Sequence, residues 1–121
     1  MTLDKVDIEF YETGSTCPVR DFLDALPPKA YRKAFWTIST VQSFTRASSH
    51  YFKKLVGTNG LYEIRVTYSR NDMRLIGFFA PGEKFIIVHA FFKKTQETPG
   101  RDIELSMFRK SEYLKSTGRK R

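Results

Sequence analysis

Two hydrophobic periods divide the chain. Near its start Val6, Ile8 and Phe10 alternate with Asp7, Glu9 and Tyr11. A half-buried strand has this period of two, because successive side chains point to opposite faces of a sheet. Thr13-Gly14-Ser15-Thr16 reads as a turn, and the period then lengthens. Val19, Phe22, Leu23 and Leu26 recur at helical spacing, with Pro18 suited to the first turn and Thr16 or Cys17 near the cap. Pro27-Pro28 closes that helix and starts another, whose stripe of Tyr31, Ala34, Phe35, Ile38 and Val41 runs to about residue 44. Two helices joined so tightly form an antiparallel hairpin.

Residues 45–60 break the pattern, with Ser48-Ser49 and Gly57-Thr58-Asn59-Gly60 as punctuation. Lys53 and Lys54 lie in this expected loop, flanked by Tyr51, Phe52 and Leu55. Strand alternation then resumes. Tyr62, Ile64, Val66 and Tyr68 share one face, and Glu63, Arg65 and Thr67 the other. A turn at residues 69–72 leads to a strand over 73–80. Pro81-Gly82-Glu83 leads to a third over 84–92, the most apolar and therefore the expected centre of the sheet. Thr98-Pro99 announces a last helix with Ile103, Met107 and Leu114 on one face. The order is an N-terminal strand, a helical hairpin, a three-stranded antiparallel meander and a C-terminal helix, an α+β architecture. Residues 1–115 read as one domain and 116–121 as a basic tail expected to be disordered.

Charge adds a direction to this picture. The chain of 121 residues has 21 lysines and arginines against 13 acids, a net charge of +8. Residues 1–60 hold eight bases and six acids, and residues 61–121 hold thirteen and seven, so most of the excess falls in the half with the strongest strand signals. A basic excess of this kind favours a polyanionic partner, above all nucleic acid. The single cysteine, Cys17, excludes an internal disulfide and a thiolate metal cluster. No apolar run reaches the ~20 residues that cross a bilayer. The first residues also lack the basic-then-apolar order of a signal peptide, so the expected location is the cytoplasm, away from membranes.

The chain shows no phosphate-binding glycine loop, no nucleophile elbow and no paired histidine or cysteine ligands, so no metal or other cofactor is expected. Chemistry must therefore come from Lys, Arg, Tyr or His. Arg65 lies mid-strand on the polar face. Hairpin pairing brings it beside Arg74, where two like charges would repel unless an anion sits between them. Salt bridging of Arg65 to Glu63 is the plainer alternative. Lys93 and Lys94 end the apolar strand, and simple alternation puts Lys93 on the face of Phe85, Ile87, His89 and Phe91. They fit either a solvated strand end or one edge of a cleft. Lys53 and Lys54 offer a second cationic pair. His89, between Val88 and Ala90, reads better as a satisfied core histidine than as a catalyst. Tyr68 and Tyr113 could stack on a base or donate a proton, or simply fill the core. Clustered cations suit RNA cleavage. The 2′-hydroxyl supplies the nucleophile, a lysine crowded by other cations serves as base, and arginine forks neutralise the phosphorane.

Several segments together resemble the HigB-like, phage-associated branch of the RelE/ParE toxins. They are Cys17-Pro18-Val19-Arg20-Asp21-Phe22-Leu23-Asp24, Phe52-Lys53-Lys54-Leu55, Gly60-Leu61-Tyr62-Glu63-Ile64-Arg65, and Phe92-Lys93-Lys94-Thr95-Gln96-Glu97-Thr98-Pro99 with Arg101-Asp102-Ile103-Glu104. The resemblance implies a RelE-like fold and the toxin of a type II toxin–antitoxin pair. Such a toxin cuts messenger RNA in the ribosomal decoding site and is held by an antitoxin with a helix-turn-helix domain. By position, Arg65, Arg74, Lys93 and Lys94 become the catalytic set. Lys53, Lys54, Tyr68, Arg101 and Tyr113 become RNA contacts. Glu97 and Gly100 stand where relatives often carry a base, which thins the cationic rim. A gyrase-inhibiting toxin of the ParE kind shares the fold, and a non-catalytic basic nucleic-acid-binding phage protein would share the charge.

Overall fold

A computed structural model describes residues 6–42, 50–94 and 98–119. The elements are β1 (Asp7–Phe10), α1 (Pro18–Asp24), α2 (Pro28–Val41), β2 (Phe52–Lys54), β3 (Tyr62–Tyr68), β4 (Asn71–Ala80), β5 (Lys84–Lys93) and α3 (Gly100–Arg119). They form an α+β fold around one five-stranded sheet of order β1-β5-β4-β3-β2. β1 pairs in parallel with β5, and the other neighbours are antiparallel. This is the expected N-terminal strand, helical hairpin, antiparallel meander and C-terminal helix. Pro18 and Pro28 open α1 and α2, where a missing N–H costs nothing because the first turn has no acceptor for it.

The sheet is covered on both faces. Val66, Ile64, Met73, Leu75, Phe85 and Ile87 pack against Val19 and Leu23 of α1 and Ala34, Ile38 and Val41 of α2. On the other face Leu61, Ile76, Phe78, Ile86 and Val88 are joined by Ile103 and Tyr113 of α3. No helix among the described residues is long and apolar enough to cross a membrane.

The structure corrects four expectations. Residues 52–54 form a short edge strand, so Lys53 and Lys54 sit on β2 rather than in a loop. Three residues are too few for periodicity to reveal, and only pairing with β3 makes them a strand. β4, not β5, is the middle strand, because β2 extends one side of the meander as β1 extends the other. The second helix stops at Val41, and residues 43–44 lie outside the described residues. α3 continues to Arg119, through the first four residues of the segment read as a disordered tail.

A fifth correction matters most for the site. The β4–β5 register shifts between Ile76 and Gly77, so that Ile76 faces His89 while Gly77 faces Ile87. Val88 is the extra residue of a β-bulge, and simple alternation fails beyond it. Phe85 and Ile87 face the helical hairpin, whereas His89, Phe91 and Lys93 face α3. The bulge is braced from above, since Arg109 Nη1 donates to the Val88 carbonyl at 2.8 Å. Gly77 makes room for it from below. A Cβ there would press on the Ile86 carbonyl and lie 2.7 Å from the Phe85 ring. Gly77→Ala is therefore expected to cost about 2 kcal/mol, the usual penalty of overpacking a filled core. A urea midpoint equal to that of the unsubstituted chain would contradict this role.

Candidate functional site

Pairing across the α3-facing side of the sheet sets out three rows. Lys53, Glu63, Ile76 and His89 form the first, Arg65, Arg74 and Phe91 the second, and Thr67, Asp72 and Lys93 the third. The predicted register between Arg65 and Arg74 holds. The anion between them belongs to the protein itself. Glu63 Oε2 lies 3.2 Å from Arg65 Nε and 3.6 Å from Arg74 Nε. The other oxygen of Glu63 accepts a 3.0 Å hydrogen bond from Thr98, just before α3. A carboxylate only 2% exposed is tolerable here because two guanidinium groups neutralise it.

The two arginines differ in access. The Arg65 side chain is 30% exposed and that of Arg74 only 8%. Arg74 Nη1 donates to the Met73 carbonyl at 3.1 Å. Burial, then the neighbouring Arg65, pull the Arg74 guanidinium below its usual pKa, while Glu63 and Asp72 oppose them. Arg74 is thus a fixed charge behind the surface, and Arg65 reaches solvent.

An open cleft of about 1200 Å³ lies at this end of the sheet, lined by Pro27, Arg65, Arg70, Asn71, Asp72, Arg74, Phe92, Lys93 and Lys94. A second cavity of about 390 Å³ is lined by Lys53, Lys54, Leu55, Val56, Thr58, Glu63, Arg65, Lys93, Thr98 and Ile103. Arg65 and Lys93 line both. The structure therefore gathers Arg65, Arg74, Lys93 and Lys94 around one cleft, with Lys53 and Lys54 beside it. Such a surface neutralises a phosphate and the extra charge of a phosphorane. Among the described residues no three His, Cys, Asp or Glu side chains gather as a metal-ligand set.

Three of the proposed RNA contacts lie elsewhere. Tyr68 faces the helical hairpin, on the opposite side of the sheet from the arginines. Tyr113 lies on α3 about 20 Å from that helix's start, at 1.5 Å per residue. There its hydroxyl donates to Glu9 at 3.2 Å and its ring meets Phe78 at 5.7 Å. Burial first, and the nearby Glu9 second, raise its pKa. Arg101 is exposed on the first turn of α3 and lines neither cavity. His89 is satisfied as expected, by Asp102 at 2.7 Å, but in a half-buried place beside α3. Gly100 opens α3, and Glu97 lies outside the described residues. Sequence reasoning passed over Arg70, Asn71, Asp72 and Thr98 as site-lining residues. The turn at 69–72 was visible, but nothing in it showed that it borders the end of β5.

A family model described as Phage derived protein Gp49-like (DUF891) matches residues 21–111. No curated protein matches the chain. The matched span contains the helical hairpin from Asp21 onward, the whole meander and the first part of α3, and with them every residue that lines the cationic cleft.

Proposed function

Because this chain belongs to the Gp49-like family of phage-derived proteins, a toxin-like family related to RelE, we propose that it is the toxin of a type II toxin–antitoxin pair, of the HigB-like branch. In this reading it is a cytoplasmic, metal-independent endoribonuclease that cleaves messenger RNA on the ribosome and so arrests translation and growth. Its partner is an antitoxin with a helix-turn-helix domain. The observation that carries the reading is the gathering of Arg65, Arg74, Lys93 and Lys94 around one open cleft.

RNA brings its own nucleophile to such a surface. The 2′-hydroxyl attacks the adjacent phosphorus, the 5′-oxygen leaves, and a 2′,3′-cyclic phosphate remains. Arg65, the more accessible guanidinium, contacts the phosphate, and Arg74 adds a buried positive charge behind it. Both act where the phosphorane gains charge, so they bind the transition state better than the ground state. Lys93 and Lys94 hold the backbone or carry the proton, and Lys53 and Lys54 extend the path of the strand. DNA lacks the internal nucleophile and is spared.

Primer-extension mapping after brief induction tests the reading. Discrete new 5′ ends in messenger RNA, together with growth arrest, are expected, and co-expression of an adjacent helix-turn-helix gene product should suppress both. Intact transcripts with accumulating DNA breaks would replace this reading with the gyrase-directed one. Harmless overexpression would leave a non-catalytic binding protein.

A further inference from the structure

The outer face of α2 carries a second concentration of positive charge. Lys29, Arg32 and Lys33 lie on this helix, whose sequence PKAYRKAFWTISTV contains no acid. Spacings of three and four residues set Lys29, Arg32, Lys33 and Trp36 along one stripe. Trp36 is the only tryptophan in the chain and is 50% exposed. It is held in place from two sides. Tyr51 meets it edge-on with ring centroids 5.7 Å apart, and Lys33 Nζ lies 4.9 Å from its centroid. Contacts of the latter kind at an exposed site are weak enough for a nucleobase to displace. The patch lies on the hairpin side of the sheet, across the β2 edge from the arginines. The Tyr51 carbonyl accepts the Arg65 backbone N–H at 2.8 Å, and Lys53 and Lys54 follow two and three residues later.

We propose that this face binds a single-stranded stretch of RNA flanking the one held in the cleft, with Trp36 as the stacking platform and Lys29 and Arg32 as phosphate contacts. The proposal rests on the reading of the protein as an RNA-cleaving one. An indole face accepts any base, and cations along a helix without carboxylates follow the backbone without repulsion. The core of a protein–protein interface is depleted in charge, whereas here three cations share one helix stripe with one exposed aromatic ring. A strand leaving Arg65 over the β2 edge passes Lys53 and Lys54 and meets Tyr51 and Trp36 next.

Because Trp36 is the sole tryptophan, its emission reports the contact directly. Titration with a single-stranded oligoadenylate of about twelve nucleotides is expected to quench it, in both the native chain and the slow-cleaving Arg65→Ala chain. Trp36→Ala should weaken binding about tenfold or more, and Trp36→Phe should largely restore it. Replacing Lys29 and Arg32 together with alanine should lower the slope of log affinity against log salt by about 1.4, at roughly 0.7 per phosphate contact on a single strand. RNA binding that leaves the Trp36 emission unchanged overturns the proposal, as does native affinity in Trp36→Ala; a face reserved for a protein partner would give that result. Quenching by a native chain that leaves ribosome-bound messages intact would instead overturn the nuclease reading and leave this surface standing.

Discussion

An Arg65→Ala chain is expected to cleave messenger RNA about 100- to 1000-fold more slowly than the native chain, the usual effect of removing one preorganised donor to a transition-state oxyanion. The side chain is 30% exposed and lines both cavities, so it can reach a phosphate that Arg74, only 8% exposed, meets from behind. Folding should change little. Glu63 keeps its Thr98 hydrogen bond and the Arg74 charge at 3.6 Å when Arg65 is gone. Arg65→Lys keeps a point charge but loses the planar fork, so it should recover only part of the rate. Single-turnover cleavage of a ribosome-bound message measures all three proteins. A native rate in Arg65→Ala would remove Arg65 from the mechanism and with it the main reason for placing the reaction in this cleft.

The largest stability effect is expected at Glu63. Glu63→Ala should cost about 3–5 kcal/mol, the range for breaking a buried ion pair from one side, and a domain has only about 5–15 kcal/mol to lose. The substitution leaves Arg65 and Arg74 paired directly across two strands without the carboxylate between them. It also strips Thr98 of its acceptor just where the chain enters α3. Glu63→Gln keeps an oxygen for Thr98 but not the charge, so its loss should be smaller. Inorganic phosphate provides a second readout. An anion that enters the vacated place stabilises the folded chain by mass action, so phosphate should raise the urea midpoint of Glu63→Ala more than that of the native protein. Equal midpoints for Glu63→Ala and the native chain, with no phosphate effect, would mean the bridge is unimportant to the fold.

These two residues show what could be read from the chain. The alternation of Tyr62, Ile64 and Val66 with Glu63 and Arg65 placed the arginine on the face away from the helical hairpin, because strand geometry allows only two sides. Hairpin pairing around the turn expected at 69–72 brought Arg65 near Arg74; the structure starts β4 at Asn71 rather than 73, and this shorter turn sets the two directly opposite. Even the need for an anion between them was legible, as a matter of Coulomb repulsion. Its source was harder to settle, because Glu63 on the same strand and a bound phosphate satisfy the same electrostatics.

Other features depended on long-range pairing. Period two puts Lys93 with Phe85 and Ile87, facing the helical hairpin and away from the arginines. The bulge at Val88 reverses that assignment and brings Lys93 to the arginine side. A bulge is one residue in excess over a partner strand, so it exists only once β4 and β5 are paired and has no periodic signature of its own. The contacts that sustain it, from Arg109 and around Gly77, lie 21 and about ten residues away in sequence. The same holds for β2, which becomes a strand through its pairing with β3, and for Tyr68 and Tyr113, which the fold sends to the opposite face and the far end of the sheet. By itself the sequence determined the α+β class, the two hydrophobic faces and the nearness of Arg65 to Arg74, all consequences of local periodicity and hairpin pairing. The tertiary structure alone decided which cations share a cleft, because that depends on register between strands distant in the chain.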